Sequence, residues 1–362
     1  MGNADSPTIK EPARMKIIRT TQSRISEVDF SNLGFGNRIS DHTFEAVYKD
    51  GAWGKGIIQP YGPMRHGLGL HALHYGQAVF EGMKAYRQGN GRVAVFRPEA
   101  NWARLNRSGS RLLIPELPKE IFMESLFELL RVDQAWVPKE EEQALYIRPF
   151  LFGSSEFITA RPSEEYTFGI VTGPVGAYYS KPVKVKVEDT YTRAASGGVG
   201  YTKAAGNYGG AFYASAQAQK EGFNQVLWTD HREHTYLEEA GTMNVAFVIN
   251  DVLVTPALTD RILAGITRDS ILTLCRHWGV AVEERLISVH ELEEASANGS
   301  LQEAFGMGTA AVVSPIDGIG YKGNLLSVPA PLDGLAMRVK KGLADIRFGR
   351  SEDLFGWMQP ID

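Results

Sequence analysis

A single lysine, Lys203, stands in a run of small residues, RAASGGVGYTKAAGNYGG from Arg193 to Gly210, with Asn207 and Tyr208 close behind it. Gly, Ala, Ser and Thr let backbone and ligand approach closely and bring no charge to compensate the amine. An amine so placed suits nucleophilic imine chemistry. A solvated lysine in a glycine-rich surface loop fits the same composition. The run is not a P-loop, which needs Gly before the lysine and Ser or Thr after it; here Thr202 precedes and Ala204 follows. Nor do Gly197, Gly198 and Gly200 have the spacing of a dinucleotide fingerprint.

Three more clusters could carry chemistry. In LEEAGTMNVAFVIN, Leu237 to Asn250, Glu238 and Glu239 precede a Gly-Thr turn and an apolar strand. A carboxylate held there in a partly buried site stays ionised only beside a cation, whereas in a loop it is merely solvated. Gly265, Ile266 and Thr267 lie just before a helical pattern, where free amides and the helix dipole favour an anion; simple N-capping by Thr267 is the competing use. Gly306 to Ala311 is a second small-residue run with close backbone amides. The pairs His71/His74 and His231/His234 have no third ligand nearby in sequence, so no metal site is expected. No G-x-S-x-G elbow supports acyl hydrolysis.

These clusters need a scaffold, and its outlines are legible. The chain has 362 residues, a net charge of −4, 43% hydrophobic and 22% charged residues, an ordinary globular composition of about two domains. Near charge balance argues against a phosphate-backbone binder. The lone Cys275 makes an intramolecular disulfide impossible. The polar start, MGNADSPTIKEPARMK, is not a secretory signal. Its Met-Gly and Ser6 match a myristoylation pattern only superficially, with no second anchor. With no apolar stretch of membrane-spanning length, a cytoplasmic protein is expected.

Apolar periodicity predicts helices from Pro98 to about Leu113, from Lys119 to about Ala135 (Ile121, Phe122, Leu126, Leu129 and Leu130 on one side), and from Thr267 to Trp278 with Gly279 as its stop. Alternation predicts strands at Leu145–Arg148, Tyr166–Val171, Val183–Val187, Gln225–Thr229, Val245–Ile249 and Val252–Thr255. Residues 1–25 read as a mobile arm, 26–173 as a small α+β domain, 174–182 in GPVGAYYSKP as a linker, and 183–362 as a larger α+β domain carrying Lys203. The expectation is a two-domain α+β protein with short antiparallel-type strands.

Taken in order, LHYGQAVFEGMKAYR (Leu73–Arg87), ALYIRP (Ala144–Pro149), GPVGAYYS (Gly173–Ser180), TKAAGNYGG (Thr202–Gly210), QVLW (Gln225–Trp228), EAGTMN (Glu239–Asn244), AGITR (Ala264–Arg268) and FGMGTAAVV (Phe305–Val313) resemble the class IV, fold type IV aminotransferases that use pyridoxal 5'-phosphate, and the branched-chain enzymes most closely. The resemblance runs from about Phe35 to Gly349. It implies an architecture like that of D-amino-acid aminotransferase, a homodimer, and exchange of the amino group between Leu, Ile or Val and 2-oxoglutarate. It makes Lys203 the Schiff-base lysine and proton shuttle, Glu239 the partner of the pyridine nitrogen, and Tyr208 the partner of the ring hydroxyl oxygen. Arg104 in NWARLNRS becomes the phosphate arginine, with Ile266, Thr267 and Thr309 completing the phosphate cup and Arg193 a weaker candidate. The substrate pocket falls to Phe35, Tyr75, Phe80, Tyr178, Thr242 and Ala310. Tyr146 and Arg148 receive the second carboxylate, and Tyr75 acts across the dimer interface. Ile158 and Ala160 align only loosely with a further partner loop.

Two positions depart from the family pattern. Ala246 stands where an aromatic residue is common, with Phe247 next. Ala311 and Ser314 occupy the places of the Cys-x-x-Cys pair of mammalian relatives, so thiol regulation of that kind is not expected. D-amino-acid aminotransferase and aminodeoxychorismate lyase are the competing enzyme readings, and a catalytically silent relative is the non-enzymatic one.

Overall fold

The computed structural model describes residues 15–176 and 181–361. Its strands are β1 (Lys16–Ile17), β2 (His42–Lys49), β3 (Ala52–Trp53), β4 (Ile57–Pro60), β5 (Ala78–Phe80), β6 (Met83–Arg87), β7 (Val93–Phe96), β8 (Ala144–Gly153), β9 (Tyr166–Val175), β10 (Val183–Val187), β11 (Gln225–Thr229), β12 (Leu237–Ala240), β13 (Asn244–Ile249), β14 (Val252–Pro256), β15 (Val282–Arg285), β16 (Leu301–Gly308), β17 (Val312–Tyr321), β18 (Asn324–Ser327) and β19 (Met358–Pro360). The helices are α1 (His71–Tyr75), α2 (Pro98–Arg111), α3 (Lys119–Val132), α4 (Ala205–Gly209), α5 (Phe212–Lys220), α6 (Ile266–His277), α7 (Val289–Ala297) and α8 (Leu335–Arg347).

Two sheets organise the chain. The first runs β1-β4-β2-β9-β8-β6-β7-β19, with β3 on β2 and β5 on β8; the second runs β12-β11-β10-β17-β16-β13-β14-β15, with β18 on β17. The first is anchored by the β8–β9 ladder, in register from Ala144↔Val175 to Gly153↔Tyr166. Helix α3 closes one of its faces: Phe122, Leu126, Leu129 and Leu130 are buried in the same core as Phe44, Phe168 and Ile170, with Phe122 stacked on Phe168 at 5.9 Å. The second sheet folds around β10, where Val183, Val185 and Val187 are buried between lysines that are not, the alternation of a half-buried strand.

Several expectations need correction. Residues 15–25 are not a free arm: β1 pairs in parallel with β4, the Thr20 amide donates to His42 Nε2, and the Arg24 amide donates to Asp41 Oδ1. Gly173, Pro174 and Val175, expected partly in the linker, belong to β9 and pair with Tyr146, Leu145 and Ala144. The tail strand β19 leaves the C-terminal region and pairs with β7 of the first sheet, because Trp357 packs on Phe96 at 5.7 Å. Nor are the strands all antiparallel: β10 is parallel to both β11 and β17. The connection that carries α4 and α5 from the end of β10 crosses back to the opposite end of the sheet before β11 begins, as a parallel pair requires.

A third core joins the two sheets: Tyr86, Phe96, Ala144 and Val175 pack with Ala246, Ile266, Phe305 and Val313. Ala246 is therefore a contact between layers, while its neighbour Phe247 points the other way into the core around β10. Helix α6 starts one residue before the sequence expectation and lies against this core. Ile271, Leu272, Leu274 and Cys275 are buried, and Gly279 takes the left-handed φ of +74° just past its end. Among the described residues no helix is long and apolar enough to cross a membrane.

Candidate active site

A cavity of about 590 Å³ opens between the two sheets. Its centre is Lys203, which sits in the crossover from β10 to β11 just ahead of α4. The backbone there is clamped on both sides: the Lys203 amide donates to Ser108 Oγ of α2 at 3.0 Å, and its carbonyl accepts the Phe80 amide at 3.1 Å. Asn207 folds back and donates to the Val199 and Thr202 carbonyls at 2.9 and 3.0 Å. The side chain is held as firmly. Lys203 Nζ donates to the Tyr208 hydroxyl at 2.9 Å and lies 4.7 Å from the centroid of the Phe80 ring. An amine on an aromatic face beside a phenol, with no carboxylate in hydrogen-bond contact, is poised for covalent chemistry at a carbonyl.

Glu239 reaches one end of the cavity from β12 and is 4% exposed. The β11–β12 pairing, whose register shifts between Leu227↔Ala240 and Thr229↔Leu237, places it there. Its Oε1 accepts the Leu263 amide at 2.8 Å and Asn244 Nδ2 at 3.2 Å. Arg193 Nε stands 3.1 Å from Oε2, off the N–H axis, so the pair is a charge contact and not a directed hydrogen bond. Burial pushes the Glu239 carboxyl above its ordinary value, opposed by Arg193, the Leu263 amide and Lys203. A buried carboxylate with this deficit gains from a further N–H donor in the cavity. Arg193 thus supports Glu239, and its terminal nitrogen donates to the Gly200 and Arg261 carbonyls. The neighbouring Glu238 points to Arg261, at 2.5 Å, instead of the cavity.

The opposite end is built for an anion. Gly265 caps α6 and Ile266 and Thr267 form its first turn, whose amides have no partner within the helix. The competing expectation of Thr267 as the cap fails, because Gly265 holds that position. Only glycine fits there: a Cβ on Gly265 would lie 1.9 Å from Asn244 Oδ1. Thr309, in the turn from β16 to β17, lines the same end. Arg104 comes from α2, 4% exposed. It is gripped by Glu81, Nε to Oε1 at 2.7 Å and a terminal nitrogen to Oε2 at 2.8 Å, and also donates to the Ala264 carbonyl at 3.2 Å. Burial works against the Arg104 charge, but Glu81 holds it above its usual value.

Phe35, Phe80, Tyr146, Arg148, Thr242 and Ala310 form the remaining wall. Arg148 donates to the Tyr146 hydroxyl at 3.1 Å and stacks 4.6 Å from the Phe80 centroid, while its buried Nε has no hydrogen-bond partner among the described residues. Phe35 meets Tyr146 edge-on at 5.0 Å. Gly82 is required beneath Tyr146, since a Cβ there would lie 2.2 Å from the hydroxyl. The wall therefore offers apolar rings and an arginine side by side.

Two expected residues are not brought here. Tyr75 lies outside the cavity of its own chain, donating its hydroxyl to the Ile158 carbonyl; Tyr178 lies outside the described residues. Sequence reading missed Glu81, Ser108 and Asn244. For Glu81 a signal existed, a lone charge within the apolar run AVFEGM. His71 and His74 spend Nε2 on the Arg161 and Leu68 carbonyls. Among the described residues no cluster of His, Cys, Asp and Glu could hold a metal.

Residues 78–319 match the family model described as amino-transferase class IV, and the chain belongs to that family. It is 44% identical over 335 residues to branched-chain-amino-acid transaminase 1 of Bacillus subtilis, covering 91% of this chain and 94% of that protein. It is 42% identical over 348 residues to the branched-chain-amino-acid aminotransferase of Mycolicibacterium smegmatis, covering 93% and 95%. Among solved structures it is similar to the branched-chain aminotransferase of Thermoproteus uzoniensis with norvaline, at a TM-score of 0.73 and 26% identity over 88% of this chain and all of that one. The fold is also that of the PLP-form enzyme from Thermobaculum terrenum, at a TM-score of 0.71.

Proposed function

We propose that this class IV aminotransferase moves the amino group between branched-chain L-amino acids and 2-oxoglutarate, with pyridoxal 5'-phosphate as cofactor. The observation that carries the reading is one pocket joining Lys203 and Tyr208 to Glu239 at one end and to Arg104 with the α6 amides at the other. The residues fit that cofactor: an anion cup, an amine, a phenol and a buried carboxylate short of compensation are the partners of a phosphate, an aldehyde, a ring hydroxyl and a protonated ring nitrogen. When bound, the cofactor supplies the aldehyde that takes up the amino group and the ring that absorbs the electron pair.

The chain supplies the rest. Lys203 Nζ would serve as the base that removes the proton from the substrate α-carbon and later returns it. The Tyr208 hydroxyl keeps that amine oriented. Glu239 would hold a proton on the ring nitrogen, backed by Asn244 and Arg193. Arg104, Thr267 and Thr309 fix the phosphate, and Glu81 keeps Arg104 in place. Phe35, Phe80 and Tyr146 accept an aliphatic side chain by area burial, while the unpartnered Arg148 Nε receives glutamate's second carboxylate, so one wall serves both half-reactions.

Tyr75 belongs to this scheme through a second copy of the chain. Leu73 (72% exposed) and Ile158 (74% exposed) flank it on the surface, an apolar patch that supports a homodimer. The test is the near-ultraviolet and visible spectrum of the cofactor-loaded protein. L-Leucine should shift the long-wavelength band and 2-oxoglutarate should restore it. A band unmoved by leucine but moved by a D-amino acid would transfer the assignment to another class IV activity.

A further inference from the structure

Behind the turn that carries Thr309 and Ala310 lies a second cavity, of about 210 Å³. The turn, residues 309–311, is the partition: Ala310 and Ala311 line both spaces. Two buried cations face the second one. Lys84 of β6, 6% exposed, donates from Nζ to the Ala310 carbonyl at 2.9 Å. Arg347 of α8, 3% exposed, stacks 4.3 Å from the Phe96 centroid, and its Nε has no hydrogen-bond partner among the described residues. Lys340, one face-repeat earlier on α8, also lines the cavity and makes no salt bridge among the described residues. Their neighbours Lys341 and Arg350 are already paired, with Asp345 at 2.5 and 2.8 Å.

The charge is therefore unbalanced inside. The carboxylate lining the space is Glu142, and it is exposed to solvent. Burial, with Arg347 beside it, pushes the Lys84 ammonium down to about 7. A buried guanidinium without a carboxylate carries a desolvation cost that an incoming anion would relieve, and the same anion would draw Lys84 back towards its ammonium form. Met337 and Ala344 of the same helix, with Val312 and Phe348, supply the apolar part of the lining, and the volume equals on the order of seven water molecules' share of liquid. The partition is also under strain, because Val312, a β-branched residue, holds a φ of +61°.

The geometry points to a second binding site for a small organic carboxylate with a short aliphatic body, seated on Arg347 and Lys340 and coupled to the active site through Lys84 and the 309–311 turn. A carboxylate drawn to these cations competes with the Ala310 carbonyl for the Lys84 ammonium. Freed of that hydrogen bond, the strained turn leaves the position in which it lines the catalytic pocket, and turnover falls. The coupling is reciprocal: substrate that holds the turn in place weakens the carboxylate.

The probe is 3-methylbutanoate, titrated into the cofactor-loaded enzyme. Calorimetry should count two equivalents per chain for the wild type and one for Lys340→Ala, whose unliganded kcat stays unchanged. With both substrates saturating, so that competition at the catalytic pocket is suppressed, 3-methylbutanoate should still lower kcat several-fold in the wild type. Lys340→Ala should need at least ten times more of it. Arg347→Met should lose the second equivalent as well. The same count in wild type and Lys340→Ala, or identical inhibition of the two, overturns the site. Two equivalents with kcat untouched overturns the coupling. The difference of one equivalent between wild type and Lys340→Ala does not depend on which amino acid the catalytic pocket accepts, so it is separable from failure of the assigned reaction.

Discussion

Glu81→Gln offers the sharpest test of how the phosphate end is held. Glu81 is fully buried and its two oxygens take two hydrogen bonds from Arg104, at 2.7 and 2.8 Å. Hydrogen bonds to charged groups contribute about 1.5–3 kcal/mol each, and removing one partner of a buried pair typically costs about 3–5 kcal/mol because the other charge is left uncompensated. The amide keeps the shape and one acceptor but sets an NH2 against an Arg104 donor, so the loss combines the charge with one hydrogen bond. Cofactor-free protein unfolded in urea and followed by circular dichroism should show Glu81→Gln destabilised by about 3–4 kcal/mol. Arg104→Met added to it should recover at least about 2 kcal/mol, since the orphaned guanidinium is then gone. Strict additivity of the two substitutions, or a loss below about 1 kcal/mol for Glu81→Gln, would show that Arg104 is held by something other than this pair and refute the reasoning.

Other consequences are direct. Lys203→Ala should abolish turnover while leaving the circular dichroism spectrum unchanged, since the Lys203 contacts to Ser108 and Phe80 are made by backbone; residual wild-type-like activity would sink the mechanism. Arg148→Ala should raise KM for glutamate and 2-oxoglutarate at least tenfold while leucine changes much less, and equal losses for both would contradict the shared-wall assignment. Asp230, in the turn before β12, supports the strand that carries Glu239. Burial pushes its carboxyl up, but the backbone amides of Arg232, Glu233, Thr235 and Tyr236 outweigh that and bring it down to about 2 from 3.8. A depressed carboxylate stabilises the fold above its unfolded value and loses that contribution as pH falls from about 4 to 2. Asp230→Asn should therefore be less stable at pH 7 by about 1–2 kcal/mol, and the gap to wild type should close towards pH 2; a gap independent of pH would reject the amide cradle.

Local alternation and apolar spacing were sufficient for the elements that act locally. Val183–Val187 and Gln225–Thr229 are strands at the residues expected, and α2, α3 and α6 depart only at their ends. Lys203, Glu239 and the Gly265–Thr267 run stood out because chemistry needs unusual residue types in unusual company, and that is visible in one dimension. The order of strands was not, since period-two alternation is the same for parallel and antiparallel neighbours. Nothing local says that β19 crosses back to β7, or that β9 runs on through Gly173 to brace Tyr146.

Tertiary structure alone decided which charges meet. Glu81 and Arg104 are 23 residues apart and Glu239 is 46 from Arg193; whether each is solvated or buried depends on what the other sheet lays over it. The same holds for Lys84 and Arg347, two unremarkable cations in sequence that become costly once a helix and a strand enclose them. Residue types and their spacing determined the chemistry this chain can perform. Burial, which sums contributions from distant segments, decided where each charge stands and which of them is still seeking a partner.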